Sequence, residues 1–186
     1  MIRHAREGVR HLLESFRIGP SFLSVALRQF PRQMWRYWPN PERPSIHDMI
    51  VELAESEASL YVMSRQWIAQ PGASLTETFD RSGPQPSVYF DQTVLESMKI
   101  ISHLRRSTYR LLCNLPDHCW SYTAVHARWG SITLDQWLAI QERQIPVSIE
   151  HMRANYASWM ETYPARKMRV KSPDESENAP QYLEVK

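Results

Sequence analysis

Apolar residues recur three and four positions apart through most of this sequence, and the clearest example begins at residue 45. The stretch SIHDMIVELAESEASLY opens with Ser45, a favourable N-cap, and carries Asp48 three residues later, which predicts a variant of the capping box. Pro71-Gly72 predicts that this helix ends near Ala69. One buried stripe is expected on it, formed by Ile46, Met49, Ile50, Leu53, Leu60 and Tyr61.

Proline and glycine divide the chain before this helix. We expect a first helix over residues 2–17, an interruption at Gly19-Pro20, and a second helical piece that ends before Pro31. The prolines of residues 31–44 predict a connector that holds one helical turn.

Two more long helices are expected in the second half of the chain. One covers about residues 88–114, and the other begins at Thr133, where Gln136 completes a capping box. The last helix should reach about Tyr163. Because Pro146 removes one backbone hydrogen bond inside it, we expect a kink there.

The remaining segments are polar and rich in residues that break regular structure. Residues 70–87 predict a loop long enough to cross a bundle, and residues 116–131 are expected to be irregular. Residues 164–186 resemble a polar, mobile tail. Four helices with one long crossover loop predict an all-α four-helix bundle, with residues 1–163 as one domain.

Composition and charge exclude several other classes of protein. The chain has only 5 Gly, which disfavours a β-sandwich with many tight turns. A net charge of +2 gives no strong attraction to nucleic acid, and no apolar run approaches the roughly 20 residues that a membrane span needs. The N-terminus lacks the apolar core of a signal peptide, so we expect a cytoplasmic protein in which Cys113 and Cys119 are thiols.

The order of helices and connectors resembles that of a DinB/YfiT-like domain. In the run GPSFLSVALRQFPRQMWRYWPNPERPSIHDMIVELAESEASLYVMSR, a helix leads into a connector with Pro and Trp, and a second helix opens as PSIHDMIVELAESE. LRRSTYRLLCNLP and HARWGSITLDQWLAIQERQ resemble the third helix, the turn and the last helix of that family. The resemblance covers about residues 10–160. It implies a four-helix bundle with a central pocket, in which many members bind a divalent metal through three His and some act as thiol-dependent transferases or hydrolases.

The same resemblance places Glu52, Gln144 and Ser148 at the three His positions. An amide and a hydroxyl are weak ligands for Zn²⁺ or Ni²⁺, so we expect no tightly bound transition metal and assign no cofactor. Glu52 lies at the edge of the buried stripe, which leaves open whether it faces solvent or the pocket. His151 follows Gln144 by seven positions on the same helical face, so a replacement metal site from Glu52 and His151 is the alternative.

Other residues with reactive side chains are expected to have structural roles. We predict that His47 lies on the surface, about 140° around the helix from Glu52. Cys113 is expected to act as a small core residue. The Trp residues expected near the mouth of the pocket, by analogy with the family, are Trp35, Trp38 and Trp137.

Loop and surface positions are expected for two further groups of side chains. The loop group is Asp117, His118, Cys119 and His126, whose spacing matches no metal motif. The basic residues Arg105, Arg106 and Arg110 are expected to form a solvated face.

These observations lead to two hypotheses on function. The first is a non-catalytic or small-ligand-binding bundle with an apolar, Trp-lined pocket at Glu52. The alternative is a metal-dependent transferase or hydrolase with an altered site built from Glu52 with His151 or Gln144. The expected partner is a small molecule that the sequence does not identify, not nucleic acid or a membrane, and a homodimer is left open.

Overall fold

Five helices form the framework of the computed structural model, which describes residues 2–40, 43–75 and 92–163. The expected tail, residues 164–186, and most of the expected crossover loop lie outside these residues. Short 3₁₀ turns occur at Arg32–Met34, within the connector as predicted, and at Asp117–Ser121. The helices are α1 (Ile2–Arg28), α2 (Ile46–Ala69), α3 (Val94–Cys113), α4 (Leu134–Glu142) and α5 (Gln144–Thr162).

Side-chain caps fix where three of these helices begin. At α2, the Asp48 backbone N–H donates to Ser45 Oγ at 3.2 Å, and the Ser45 N–H donates to Asp48 Oδ2 at 3.3 Å. At α4, the Thr133 N–H donates to Gln136 Oε1 at 3.0 Å, as the sequence predicts. Thr93 and Glu96 make the corresponding capping box at α3. Each cap satisfies N–H groups that have no partner within the helix.

The helices pack as a four-helix bundle, which confirms the predicted fold class. Helix α1 packs on α3, α4 and α5, whereas α2 packs on α3 and α5. Helices α1 and α2 therefore make their extensive contacts with the same neighbours and not with each other. Helices α4 and α5 together form the fourth rod of the bundle.

The predicted interruption at Gly19-Pro20 is wrong, because α1 is continuous through it. Pro20 removes one backbone donor, but Phe16, Gly19 and Leu23 are all buried and hold the helix against the bundle on both sides. A Cβ on Gly19 would lie 2.7 Å from Arg105 Nη1. Glycine is therefore needed here for close packing rather than for a turn.

The predicted last helix is divided in two at Arg143 rather than only kinked. Pro146 lies in the first turn of α5 and has no N–H for the carbonyl of Glu142, the last residue of α4. Helical bonding resumes where the Val147 N–H donates to the Arg143 carbonyl at 3.2 Å. The break lies directly beside the predicted site position Gln144.

A small sheet occupies the region that was expected to be irregular. Strands β2 (Thr123–His126) and β3 (Gly130–Thr133) form an antiparallel hairpin, and β1 (Ser74–Leu75) pairs in parallel with β2. The turn between β2 and β3 ends at Gly130, whose φ of +68° favours glycine. The hairpin matters for function because it carries two residues of the candidate site.

Two clusters of buried apolar residues form the core. One surrounds the start of α2 and the end of α5, and the other centres on Trp67 and Trp137, whose ring centroids are 5.5 Å apart. Within the described ranges, no helix combines the length and apolar character needed to cross a bilayer.

Candidate functional site

A cavity of about 500 Å³ lies between α2, the α4–α5 break and the β2–β3 hairpin. Its wall contains both apolar and polar side chains. The apolar lining consists of Pro44, Met49, Leu53, Met63, Trp129, Ile140 and Val147, and the polar lining of Glu52, Ser56, Ser59, Arg128, Gln141, Gln144, Ser148 and His151.

All four site residues named from the sequence line this one cavity. Glu52 approaches from α2, and Gln144, Ser148 and His151 from successive turns of α5. Gln144 and Ser148 are half-buried, whereas Glu52 and His151 are exposed. The structure thus places the three positions of the expected triad and the proposed replacement ligand around a common space.

Tryptophan lines the cavity, but not at the predicted positions. Trp137 is fully buried against Trp67, and neither Trp35 nor Trp38 is part of the lining. The aromatic wall is Trp129, on a hairpin in the region that was expected to be irregular.

The amide of Gln144 is held by hydrogen bonds on both sides. Ser56 Oγ donates to Gln144 Oε1 at 2.8 Å, and Gln144 Nε2 donates to Gln141 Oε1. The amide therefore joins α2 to the α4–α5 break across the cavity wall. This arrangement orients its oxygen toward a neighbouring hydroxyl.

The donor set of this cavity does not fit the metal that the family resemblance implies. A protein zinc site uses three or four His, Cys, Asp or Glu ligands, and over residues 2–40, 43–75 and 92–163 no group of three such side chains is placed to hold a metal ion. Glu52 and His151 supply two such donors, and the amide of Gln144 and the hydroxyl of Ser148 are weak ones. Among the described residues, this cavity therefore lacks the three strong ligands that a zinc ion needs.

A buried ion pair lies directly behind the cavity wall. Arg105 Nη2 donates to Glu57 Oε1, and both side chains are only 1% exposed. The Arg105 guanidinium also lies over the Phe16 ring, 4.2 Å from its centroid, and Nη2 is 3.5 Å from the Gln141 carbonyl oxygen. Burial raises the pKa of the Glu57 carboxyl above its ordinary value, against the opposing effect of the Arg105 charge.

The prediction that Arg105 is solvated is therefore wrong, and the sequence held a signal for its burial. Ile101, Arg105, Thr108 and Leu112 are spaced four, three and four apart, and all are buried. Arg105 lies on the apolar face of α3, and only its charge suggested a surface position.

His47 is also buried, contrary to prediction, at 5% exposure. Its ring nitrogens face acceptors: Nε2 lies 2.9 Å from the Gln92 carbonyl oxygen, and Nδ1 lies 3.3 Å from Asp48 Oδ1. Its backbone N–H donates to the Trp35 carbonyl. The helical phase was right, but the connector and the segment before α3 cover the first turn of α2 on every side.

The other candidate side chains divide between surface and core. Asp117 and His118 are exposed, as expected. The predictions for Cys113 and His126 are wrong. Cys113 is exposed because it lies one position past the buried stripe of α3, and His126 is buried because β2 points it inward beside Ala124. Cys119 is buried rather than on a loop surface.

A larger concavity of about 730 Å³ lies between the start of α1, the end of α3 and the second 3₁₀ turn. Two of its three carboxylates accept hydrogen bonds from within the protein: Glu14 accepts from Tyr109 and Arg17, and Asp135 accepts from Thr133. None of the site residues predicted from the sequence lines it. We therefore take the 500 Å³ cavity as the candidate site.

Comparison with known proteins identifies the fold of this chain but not its chemistry. No protein-family model and no curated protein matches the sequence. Among solved structures, the chain is similar to YfiT from Bacillus subtilis, a probable metal-dependent hydrolase with an unusual four-helix bundle topology. The TM-score is 0.72 at 14% sequence identity, over 81% of this chain and 87% of YfiT. The chain therefore has a four-helix bundle fold of the DinB/YfiT type.

Proposed function

We propose that this protein is a small-ligand-binding bundle in which the metal triad of DinB/YfiT-like proteins has been replaced by Glu52, Gln144 and Ser148. The observation that carries the proposal is that these three positions line one cavity together with His151. In this proposal the fold keeps its pocket, and the pocket has exchanged metal ligands for hydrogen-bonding groups.

The size of the cavity supports the binding of an organic molecule. Small-molecule sites are typically clefts of about 300–1,000 Å³ with mostly apolar walls and a few polar groups. This cavity has about 500 Å³, which lies in that range, and about half of its lining is polar, beside Met49, Leu53 and Trp129 on its apolar wall. The Ser56–Gln144–Gln141 hydrogen bonds hold its polar wall in place before a ligand arrives, which lowers the entropic cost of binding.

Metal-independent covalent catalysis has little support in this geometry. Ser148 and His151 are three residues apart on α5, but over the described parts of the chain no hydrogen bond joins them. A serine nucleophile needs a base within hydrogen-bonding reach and donors for the oxyanion. Binding without turnover is therefore the function that the residues favour.

Probe fluorescence tests this proposal. The uncharged apolar dye N-phenyl-1-naphthylamine should bind with one site and be excluded by Ser148→Trp, which fills the cavity. Ala157→Trp is the matched control, because Ala157 is exposed on the same helix and does not line the cavity. If the dye does not bind, or if Ser148→Trp binds it as well as Ala157→Trp does, the proposed function fails.

The alternative is a metal-dependent transferase or hydrolase with an altered site. Its support is that Glu52 and His151 line the same cavity, in a fold shared with a probable metal-dependent hydrolase. Metal content distinguishes the two functions, since only the alternative requires one metal equivalent that depends on Glu52 and His151.

A further inference from the structure

The hairpin side of the cavity carries the positive charge of Arg128, which has no charged partner among the described residues. Arg128 is exposed in the β2–β3 turn and lines the cavity, and its guanidinium carbon lies 5.7 Å from the centroid of the Trp129 ring. In the described portion of the chain, Arg128 makes no ion pair, including none with Glu52 on the opposite wall. A guanidinium beside an aromatic ring and an open cavity has its donors available for an incoming anion.

The buried residue His126 fixes the position of the Arg128 backbone. The Arg128 backbone N–H donates to His126 Nδ1 at 3.0 Å, and the His126 ring lies 4.1 Å from the Trp129 ring, centroid to centroid. His126 itself is 1% exposed. The turn that presents Arg128 and Trp129 is therefore anchored in the core, so their backbone is positioned before ligand binding.

Arg128 and Trp129 together offer two different kinds of contact. The guanidinium has a planar set of donors that matches the oxygens of a carboxylate, sulfonate or phosphate. The Trp129 ring and the apolar side chains of Met49 and Leu53 offer a wall for a hydrophobic body. A neutral apolar molecule would contact only the hydrophobic wall.

We propose that the ligand is an organic anion with an apolar body, whose charged group is bound by Arg128 and whose apolar part packs against Trp129. This inference rests on the proposed small-ligand-binding function and adds the chemical class of the ligand. A cationic ligand held by Glu52 is the competing outcome.

A pair of dyes that differ only in one sulfonate group tests the inference. The anionic probe is 8-anilinonaphthalene-1-sulfonate, and N-phenyl-1-naphthylamine is the same ring system without the sulfonate. Arg128→Gln removes the charge and keeps much of the side-chain length. Arg153→Gln is the control, because Arg153 is exposed on α5 and does not line the cavity.

Arg128→Gln should weaken binding of the anionic dye by roughly two- to fivefold, the range expected for an exposed charge pair, and should leave the neutral dye unchanged. Arg153→Gln should change neither affinity. The loss should shrink at high salt.

If Arg128→Gln leaves the anionic dye unaffected while the neutral dye still binds, the inference is wrong and the proposed function stands. Preference for a cationic apolar probe, lost on Glu52→Gln, would also overturn it. Failure of both dyes to bind would instead refute the proposed function.

Discussion

Replacing Arg105 with Met removes one half of an ion pair in the centre of the bundle. The Arg105 and Glu57 side chains are each 1% exposed, so the remaining carboxylate has no access to water. Within the described residues, Glu57 Oε2 and Arg105 Nε and Nη1 already have no hydrogen-bond partner. The pair is therefore incompletely satisfied, and each half depends on the other.

The expected energies follow from this arrangement. Removing one partner of a buried pair leaves an uncompensated charge and typically costs about 3–5 kcal/mol, so Arg105→Met and Glu57→Leu should each lower the free energy of unfolding by that amount. The double variant replaces both charges with apolar groups and removes all three unsatisfied atoms. It should lie within about 1 kcal/mol of the original protein or exceed it.

Urea denaturation followed by circular dichroism measures these differences in unfolding free energy. Arg106→Met is the control, since Arg106 is exposed on the same helix, and it should change stability by no more than about 0.5 kcal/mol. Additive effects, with the double variant losing about the sum of the two single losses, would refute the reasoning. So would single losses no larger than that of Arg106→Met.

Further predictions concern helix α2 and pH. Leu53→Ala should cost about 2–5 kcal/mol, because Leu53 is 5% exposed in the core. His47→Ala should cost about 1–3 kcal/mol, because it removes a buried side chain and its polar contacts with the Gln92 carbonyl and Asp48; thermal and urea unfolding check both variants, and a negligible His47 effect would contradict its burial. The raised pKa of Glu57 means that the folded protein holds this proton more tightly than the unfolded chain, whose value is about 4.5. The resulting stabilisation is complete below the unfolded pKa and is lost as pH rises through the folded pKa, at about 1.4 kcal/mol per pH unit between the two values. Stability relative to Glu57→Gln should therefore fall as pH rises above about 4.5, and a rise would show that the sign is wrong.

The sequence predicts the helices well because their signals are local. The capping residues Ser45 and Thr133 and the breakers around them depend only on neighbours within a few positions. The cap at Thr93 was not predicted: the third helix was expected from about residue 88, whereas α3 begins at Val94. The bundle then follows from the number of helices and from the long segment between α2 and α3.

The errors come from contacts between residues far apart in the chain. Pro20 remains inside α1 because flanking residues are packed on other helices, which no local pattern reveals. The strand Thr123–His126 is only four residues long and is stabilised by pairing with residues 74–75. His47 is buried because the connector and the segment before α3 cover it. Its position around the helix does not reveal these contacts.

The sequence reveals only the part of the candidate site whose signal is local. Gln144, Ser148 and His151 share one helical face, and the family resemblance adds Glu52. Arg128 lies on the hairpin, whose position over the cavity is set by the tertiary fold. The charge of Arg128 alone gave no reason to connect this residue with Glu52, Gln144, Ser148 and His151.

Metal content is the most direct test of the claim that the cavity has lost its metal site. Protein purified without an affinity tag should contain no stoichiometric Zn²⁺ or Ni²⁺, and a chelator should leave its melting temperature unchanged because no metal-binding energy is linked to folding. The triple variant Glu52→His, Gln144→His and Ser148→His is the positive control and should bind Zn²⁺ tightly. One equivalent of zinc in the unmodified protein, lost on Glu52→Ala or His151→Ala, would contradict this account and favour the altered-site enzyme.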